Sequence, residues 1–235
     1  MTKPIRIFRH IDCEGPAYFQ TLLEQQRLPF ELVRIDEGEK VNSDLESTSG
    51  LIFMGGSMSV NDPIDWIKEE LELIASAIGK NVPVLGICLG SQLMAKAMGS
   101  RIYPGPCMEL GWAPVSCINE TDWTRDLPEE ITVFHWHGET FDLPQGATGI
   151  FTNDRYVNQG FVMGPHLALQ FHLEMEAAVI REWLNRYPED LERRCDNEHD
   201  KQAILKQTRE QVQSLQTYAS VLFKHWLGQC NPLPE

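Results

Sequence analysis

An apolar run, Val82-Pro83-Val84-Leu85-Gly86-Ile87, ends at a cysteine, and Ser91 to Met98 follow with helical character until Gly99. This strand-to-helix turn constrains the fold more than any other stretch of the chain. So apolar a strand is buried on both faces, as central strands are in a parallel sheet covered by helices. Gly86 and Gly90 flank Cys88 to give Gly-x-Cys-x-Gly, the cysteine counterpart of a nucleophile elbow. Glycine lets the backbone turn sharply and keeps bulk away from the thiol, while the helix amino terminus supplies free N–H groups and a partial positive charge. Both favour a thiolate over a thiol.

The preceding residues alternate short apolar runs with amphipathic ones. Strands are predicted over 5–11, 30–35 and 51–54, the last stopping at Gly55-Gly56, with a helix over 16–26. Asn61-Asp62-Pro63 reads as the cap and first turn of a second helix, in which Ile67, Leu71, Ile74 and Ile78 recur at helical spacing until Gly79. A mostly parallel α/β sheet with helices on both faces follows. Beyond Gly99 the pattern changes to strands at 112–118, 131–137, 149–152 and 166–172 joined by turns, so some antiparallel pairing is expected. From Ala177 the chain reads as helical. Leu205, Thr208, Val212, Leu215, Ala219, Leu222 and Trp226 mark one face of a terminal helix that Gly228 is expected to end. That face is expected to pack on its own domain in preference to another subunit. The whole, 1–235, reads as one domain with a helical extension over about 177–230.

Thirty-four acidic residues against twenty basic ones give a net charge of −14, which repels a phosphate backbone, so nucleic acid is not an expected partner. The first residues lack the apolar run of a signal peptide and no segment approaches bilayer length; a cytoplasmic protein with no membrane partner is expected. Six cysteines are too few and too scattered for a disulfide scaffold.

A cysteine nucleophile needs a base and a group to orient that base. Two His-x-Glu pairs follow predicted strands, His137-Gly138-Glu139 and His172-Leu173-Glu174, and strand spacing brings each imidazole to the same side as its carboxylate. Spacing does not choose between them. Both lie, like Cys88, at the strand ends where open parallel sheets bind ligands. His10, Cys13 and Glu14 form a further polar cluster after the first strand, in position to line a pocket, and Trp112 and Trp136 read as core or pocket-wall aromatics. His135 and His137 share a strand face as two metal ligands would, but no third ligand stands at a convincing spacing, so neither metal nor cofactor is expected.

Gly86-Ile87-Cys88-Leu89-Gly90-Ser91-Gln92, with Gly55-Gly56 upstream and Gln170-Phe171-His172-Leu173-Glu174 downstream, resembles the class I glutamine amidotransferases, a family built on a Cys-His-Glu triad. Phe134 to Pro144 is similar to a segment of free-standing members related to the amidotransferase part of GMP synthase, and no ATP-pyrophosphatase motif accompanies it. The resemblance implies a flavodoxin-like fold. It also implies Cys88 as nucleophile, His172 as base and Glu174 as its carboxylate, with His137-Gly138-Glu139 left a pocket or structural role. The backbone N–H groups of Gly56 and Leu89 become an oxyanion hole, and Gly55, Gln92 and His137 become substrate-binding residues. Leu173 departs from the proline that many members carry there, which bears on subgroup more than on chemistry. The implied activity is hydrolysis of the glutamine side-chain amide, with ammonia released or passed to a separate synthase subunit. A γ-glutamyl peptidase acting on other γ-glutamyl compounds is a close alternative, and a non-enzymatic binding or regulatory protein on the same fold a more distant one; a homo-oligomer is a further possible assembly.

Overall fold

The computed structural model of the protein describes residues 3–194 and 200–230; Cys195 and the outermost residues of 1–235 lie outside them. Four strands, β1 (Ile5–Arg9), β2 (Phe30–Arg34), β3 (Gly50–Phe53) and β4 (Val84–Ile87), pair in parallel in the order β2-β1-β3-β4. The next strand in space is nearly the last in sequence: β9 (His166–Leu169) lies parallel to β4, with Ile87 opposite Leu169. This long-range pairing brings the segment after β9 to the turn after β4. Beyond it, β8 (Gly160–Met163), β7 (Thr148–Thr152), β5 (Ile102–Cys117) and β6 (Glu130–Phe141) complete one nine-stranded sheet through antiparallel pairs.

Alternation along the central strands divides the core. Ile5, Ile7, Ile52, Leu85 and Ile87 face one apolar cluster, while Phe8, Leu51, Phe53 and Val84 face another. Helices α1 (Tyr18–Gln25), α4 (Ala177–Arg186) and α5 (Lys201–Cys230) cover the first face, and α2 (Asp65–Gly79) and α3 (Leu89–Ala97) the second. The apolar face of α5 is spent within the chain: Leu215, Ala219, Leu222, Phe223 and Trp226 are buried, and Phe19 of α1 stacks on Phe223 at 4.4 Å. No described helix is long and apolar enough to cross a membrane.

Several sequence expectations are corrected. Helix α5 runs through Gly228 to Cys230, because a single exposed glycine in so long a packed helix lowers propensity without breaking it. Helix α2 starts at Asp65; Asp62 instead accepts the Ser59 backbone N–H at 3.0 Å in the turn before it. Strand β5 begins ten residues earlier than Trp112, and β8 has no counterpart in the reading of the sequence, since both strands carry prolines or glycines that mask their pattern.

Candidate active site

Cys88 stands between β4 and α3 with φ 50° and ψ −105°, a left-handed backbone that L side chains rarely adopt. The surroundings over-determine it. Its N–H donates to the Leu169 carbonyl at 2.8 Å, and its own carbonyl accepts from Ser91 through both backbone N–H (3.0 Å) and hydroxyl (2.7 Å). A Cβ at Gly90 would overlap the Phe53 carbonyl, and one at Gly86 would lie 2.5 Å from the Gly90 carbonyl carbon. Both glycines are therefore required for α3 to fold back against β3 and β4.

His172 lies past the end of β9, outside regular strand, where its N–H donates to the Phe134 carbonyl of β6 at 2.8 Å. Its Nδ1 meets Glu174 Oε1 at 2.7 Å, and the imidazole is also hydrogen-bonded to Cys88. Both His172 and Glu174 are buried, and Trp183 packs edge-on against the imidazole at 5.1 Å. Burial pulls the His172 pKa down, but the Glu174 charge and the hydrogen bonds from Cys88 and Glu174 outweigh it and hold the imidazole well above its ordinary value. The other pair diverges. His137 Nδ1 sits 3.2 Å from the Glu139 carbonyl and its Nε2 turns to Glu109 Oε2 at 3.1 Å, while the Glu139 carboxylate accepts from Ser59.

The Cys88 sulfur also lies 3.7 Å from the Trp136 carbonyl and 3.8 Å from Gln170 Nε2. Gln92 donates to Gln170 Oε1 at 3.1 Å, so the first turn of α3 and the end of β9 are tied beside the thiol. Gly56, Gln92 and His137 line a cavity of about 760 Å³ with Cys88, His172 and Trp136. Neither adjacent glycine has room for a side chain: a Cβ at Gly55 would meet Glu14 and lie 3.2 Å from His172 Cε1, and one at Gly56 would lie 2.7 Å from Leu89 Cδ2.

Of the cluster after β1, Glu14 lines the cavity, whereas His10 turns away to Glu70 at 3.1 Å. Burial raises the Glu14 carboxyl to about 7; Glu174 adds to the rise and the neighbouring His172 and His10 oppose it. Trp112 is core, donating to Thr208 of α5 at 3.0 Å, while Trp136 forms cavity wall and donates to Asp190 at 2.9 Å. Cys13, Cys88, Cys117 and Cys230 are free thiols, and Cys107 is disulfide-bonded. Glu109 and Gln170 matter more than the sequence suggested. Gln170 stands inside a quoted motif, but Glu109 reaches its partners only through β5–β6 pairing, which no local spacing encodes.

A doubly wound sheet that delivers a strained cysteine and a paired imidazole to one cleft beside two glycines has the build of an amide-cleaving α/β enzyme. The model of the class I glutamine amidotransferases matches residues 12–186, and the chain belongs to that amide-hydrolysing family. Among relatives, it is 34% identical over 175 residues to the GMP synthase [glutamine-hydrolyzing] of Campylobacter lari, a match covering 69% of this chain but 32% of that protein, so the chain spans about a third of its length. It is 26% identical to gamma-glutamyl peptidase 4 of Arabidopsis thaliana, over 72% of this chain and 70% of that one. The crystal structure of a glutamine amidotransferase from Thermotoga maritima superimposes with a TM-score of 0.89 at 32% identity, covering 97% of this chain and 99% of that one.

Proposed function

We propose that the protein is a glutaminase that cleaves the side-chain amide of glutamine through a cysteinyl γ-glutamyl thioester. The observation that carries this reading is the single imidazole, His172, hydrogen-bonded to Cys88 and paired with Glu174 at 2.7 Å. A thiolate at Cys88 attacks the amide carbon: the C–S bond forms and the carbonyl electron pair moves onto oxygen. The N–H of Leu89, first in α3 and so without an intrahelical acceptor, and the N–H of Gly56 receive that oxyanion. Collapse breaks the C–N bond as His172 gives its proton to the leaving nitrogen, and ammonia departs. Water then attacks the thioester, giving its proton to His172, and glutamate leaves as the thiolate is restored. Glu174 holds the imidazole in register. Gln92 and His137, with Gly55 behind them, bind the backbone end of the substrate.

The residues beyond 186, which the family model does not match, belong to the same domain in this reading, because α5 shares the core beneath the sheet. The C. lari relative, of which the chain spans about a third, supports delivery of ammonia to a separate synthase subunit.

A second reading, hydrolysis of γ-glutamyl peptides or conjugates, draws on the cavity. Its volume falls among sites that hold drug-sized ligands, roughly 300–1,000 Å³, and exceeds what free glutamine fills. Both readings are tested by hydrolysis of glutamine, glutathione and γ-glutamyl amides with wild type and Cys88→Ala. Release of glutamate that Cys88→Ala abolishes supports the nucleophile; undiminished release by that variant overturns it. The preferred substrate separates the two readings. A folded wild type that neither turns over these compounds nor is alkylated at Cys88 by a γ-glutamyl electrophile would be a binding protein instead.

A further inference from the structure

Among the described residues, the donor atoms of Glu109, His135 and His137 gather within 4.8 Å of one another. All three side chains are buried. Glu109 lies directly opposite His137 in the β5–β6 ladder and Gly111 opposite His135, so the carboxylate and both imidazoles project from one face of the ribbon. Glu109 Oε2 stands 3.1 Å from His137 Nε2 and 3.5 Å from His135 Nδ1. Yet His137 Nε2 and both ring nitrogens of His135 lack a hydrogen bond of good geometry. Buried nitrogens left unmet are costly, and here three converge on one carboxylate.

The outer contacts are those that metal-ligating groups make. A ligating histidine turns its second ring nitrogen to a carbonyl or carboxylate, and a ligating carboxylate is itself hydrogen-bonded. His137 presents Nδ1 to the Glu139 carbonyl at 3.2 Å, and the His135 ring leans on the backbone of Ala113. Glu109 receives Asn153 Nδ2 on Oε1 at 2.8 Å and Gln159 Nε2 on Oε2 at 2.6 Å. Gln159 Oε1 is likewise buried without a partner beside the same group. A network of hydrogen bonds alone accounts for the approach of His137 to Glu109 but leaves His135 unexplained.

We propose that Glu109, His135 and His137 bind a divalent transition metal of the zinc class. Two imidazole nitrogens and one carboxylate oxygen suit such an ion, with water or the Gln159 amide oxygen at the fourth position. The ion draws the three donors inward and clamps β5 to β6 behind the cavity wall that His137 contributes. Its role is structural, and it stands whether or not Cys88 is the nucleophile.

The test is Zn²⁺ and Co²⁺ titration of the untagged full-length protein after removal of adventitious metal. Expected are one equivalent bound per chain, the absorption of a low-coordinate nitrogen and oxygen site with Co²⁺, and a rise in thermal midpoint with Zn²⁺. His135→Asn and Glu109→Gln should lose stoichiometric binding. Asn153→Ala, which removes only a support of Glu109, should bind roughly 10–100-fold more weakly and keeps the test open if the ligand variants fail to fold. Folded wild-type protein that takes up neither ion at micromolar concentration overturns the proposal, as would variants that bind like wild type.

Discussion

Two buried carboxyls flank one imidazole, and they respond to pH in opposite ways. Glu174 holds His172 protonated, so their pairing stabilises the fold fully below the ordinary histidine value of 6.5 and loses that contribution as pH rises through the elevated value in the folded state. Glu174→Gln should therefore lower the thermal midpoint most near pH 6, with the deficit shrinking as the medium becomes alkaline. The same variant should lose about 10²–10⁴-fold in turnover, because the imidazole loses its orientation. Glu14 titrates near 7 against an ordinary 4.5, so the fold binds its proton more tightly than the unfolded chain does. Its contribution is fully present below 4.5 and is lost as pH rises through 7, leaving a buried charge above that. Glu14→Gln should match wild type near pH 4 and be more stable by about 2 kcal/mol at pH 8, a difference read by denaturant unfolding at the two pH values.

At the scale of elements, the strand-to-helix turn depends on how closely α3 approaches β3. Gly90→Ala forces the Phe53 carbonyl aside and should cost about 3 kcal/mol together with activity, whereas Gly138→Ala, where a Cβ meets nothing within 4 Å, should leave stability within about 0.5 kcal/mol. Thermal melts of the two variants measure the contrast. This turn was legible in the sequence because glycine spacing, strand hydrophobicity and helix periodicity all fall within a few residues. So were β1 to β4 and the helices between them. What stayed hidden is non-local. His172 and Glu174 meet past the end of β9 and not within a strand, although the separation of two residues still brings them together. That His172 meets Cys88 while His137 turns to Glu109 depends on β9 pairing with β4 and on β6 pairing with β5. No spacing within either His-x-Glu pair encodes those registers.

For the molecule as a whole, the remaining question is whether the residues beyond the family match form part of the same cooperative unit. Trp226 of α5 is fully buried and stacks on Phe223, which in turn stacks on Phe19 of α1. The far end of α5 also reaches the sheet, since a Cβ at Gly50 of β3 would lie 2.6 Å from Cys230 Sγ. A helix held at both the α1 layer and a central strand cannot leave without opening the core that supports β3, and β3 is the strand whose Phe53 carbonyl positions Gly90. Removing the Trp226 side chain should thus cost about 3–5 kcal/mol, and the loss should reach the candidate site although the residue does not line the cavity. In Trp226→Ala, circular dichroism and alkylation of Cys88 by an iodoacetamide probe should report one shared transition at a lower denaturant midpoint. A separate early transition in the helical signal, with Cys88 still protected, would mean that α5 is an appended unit.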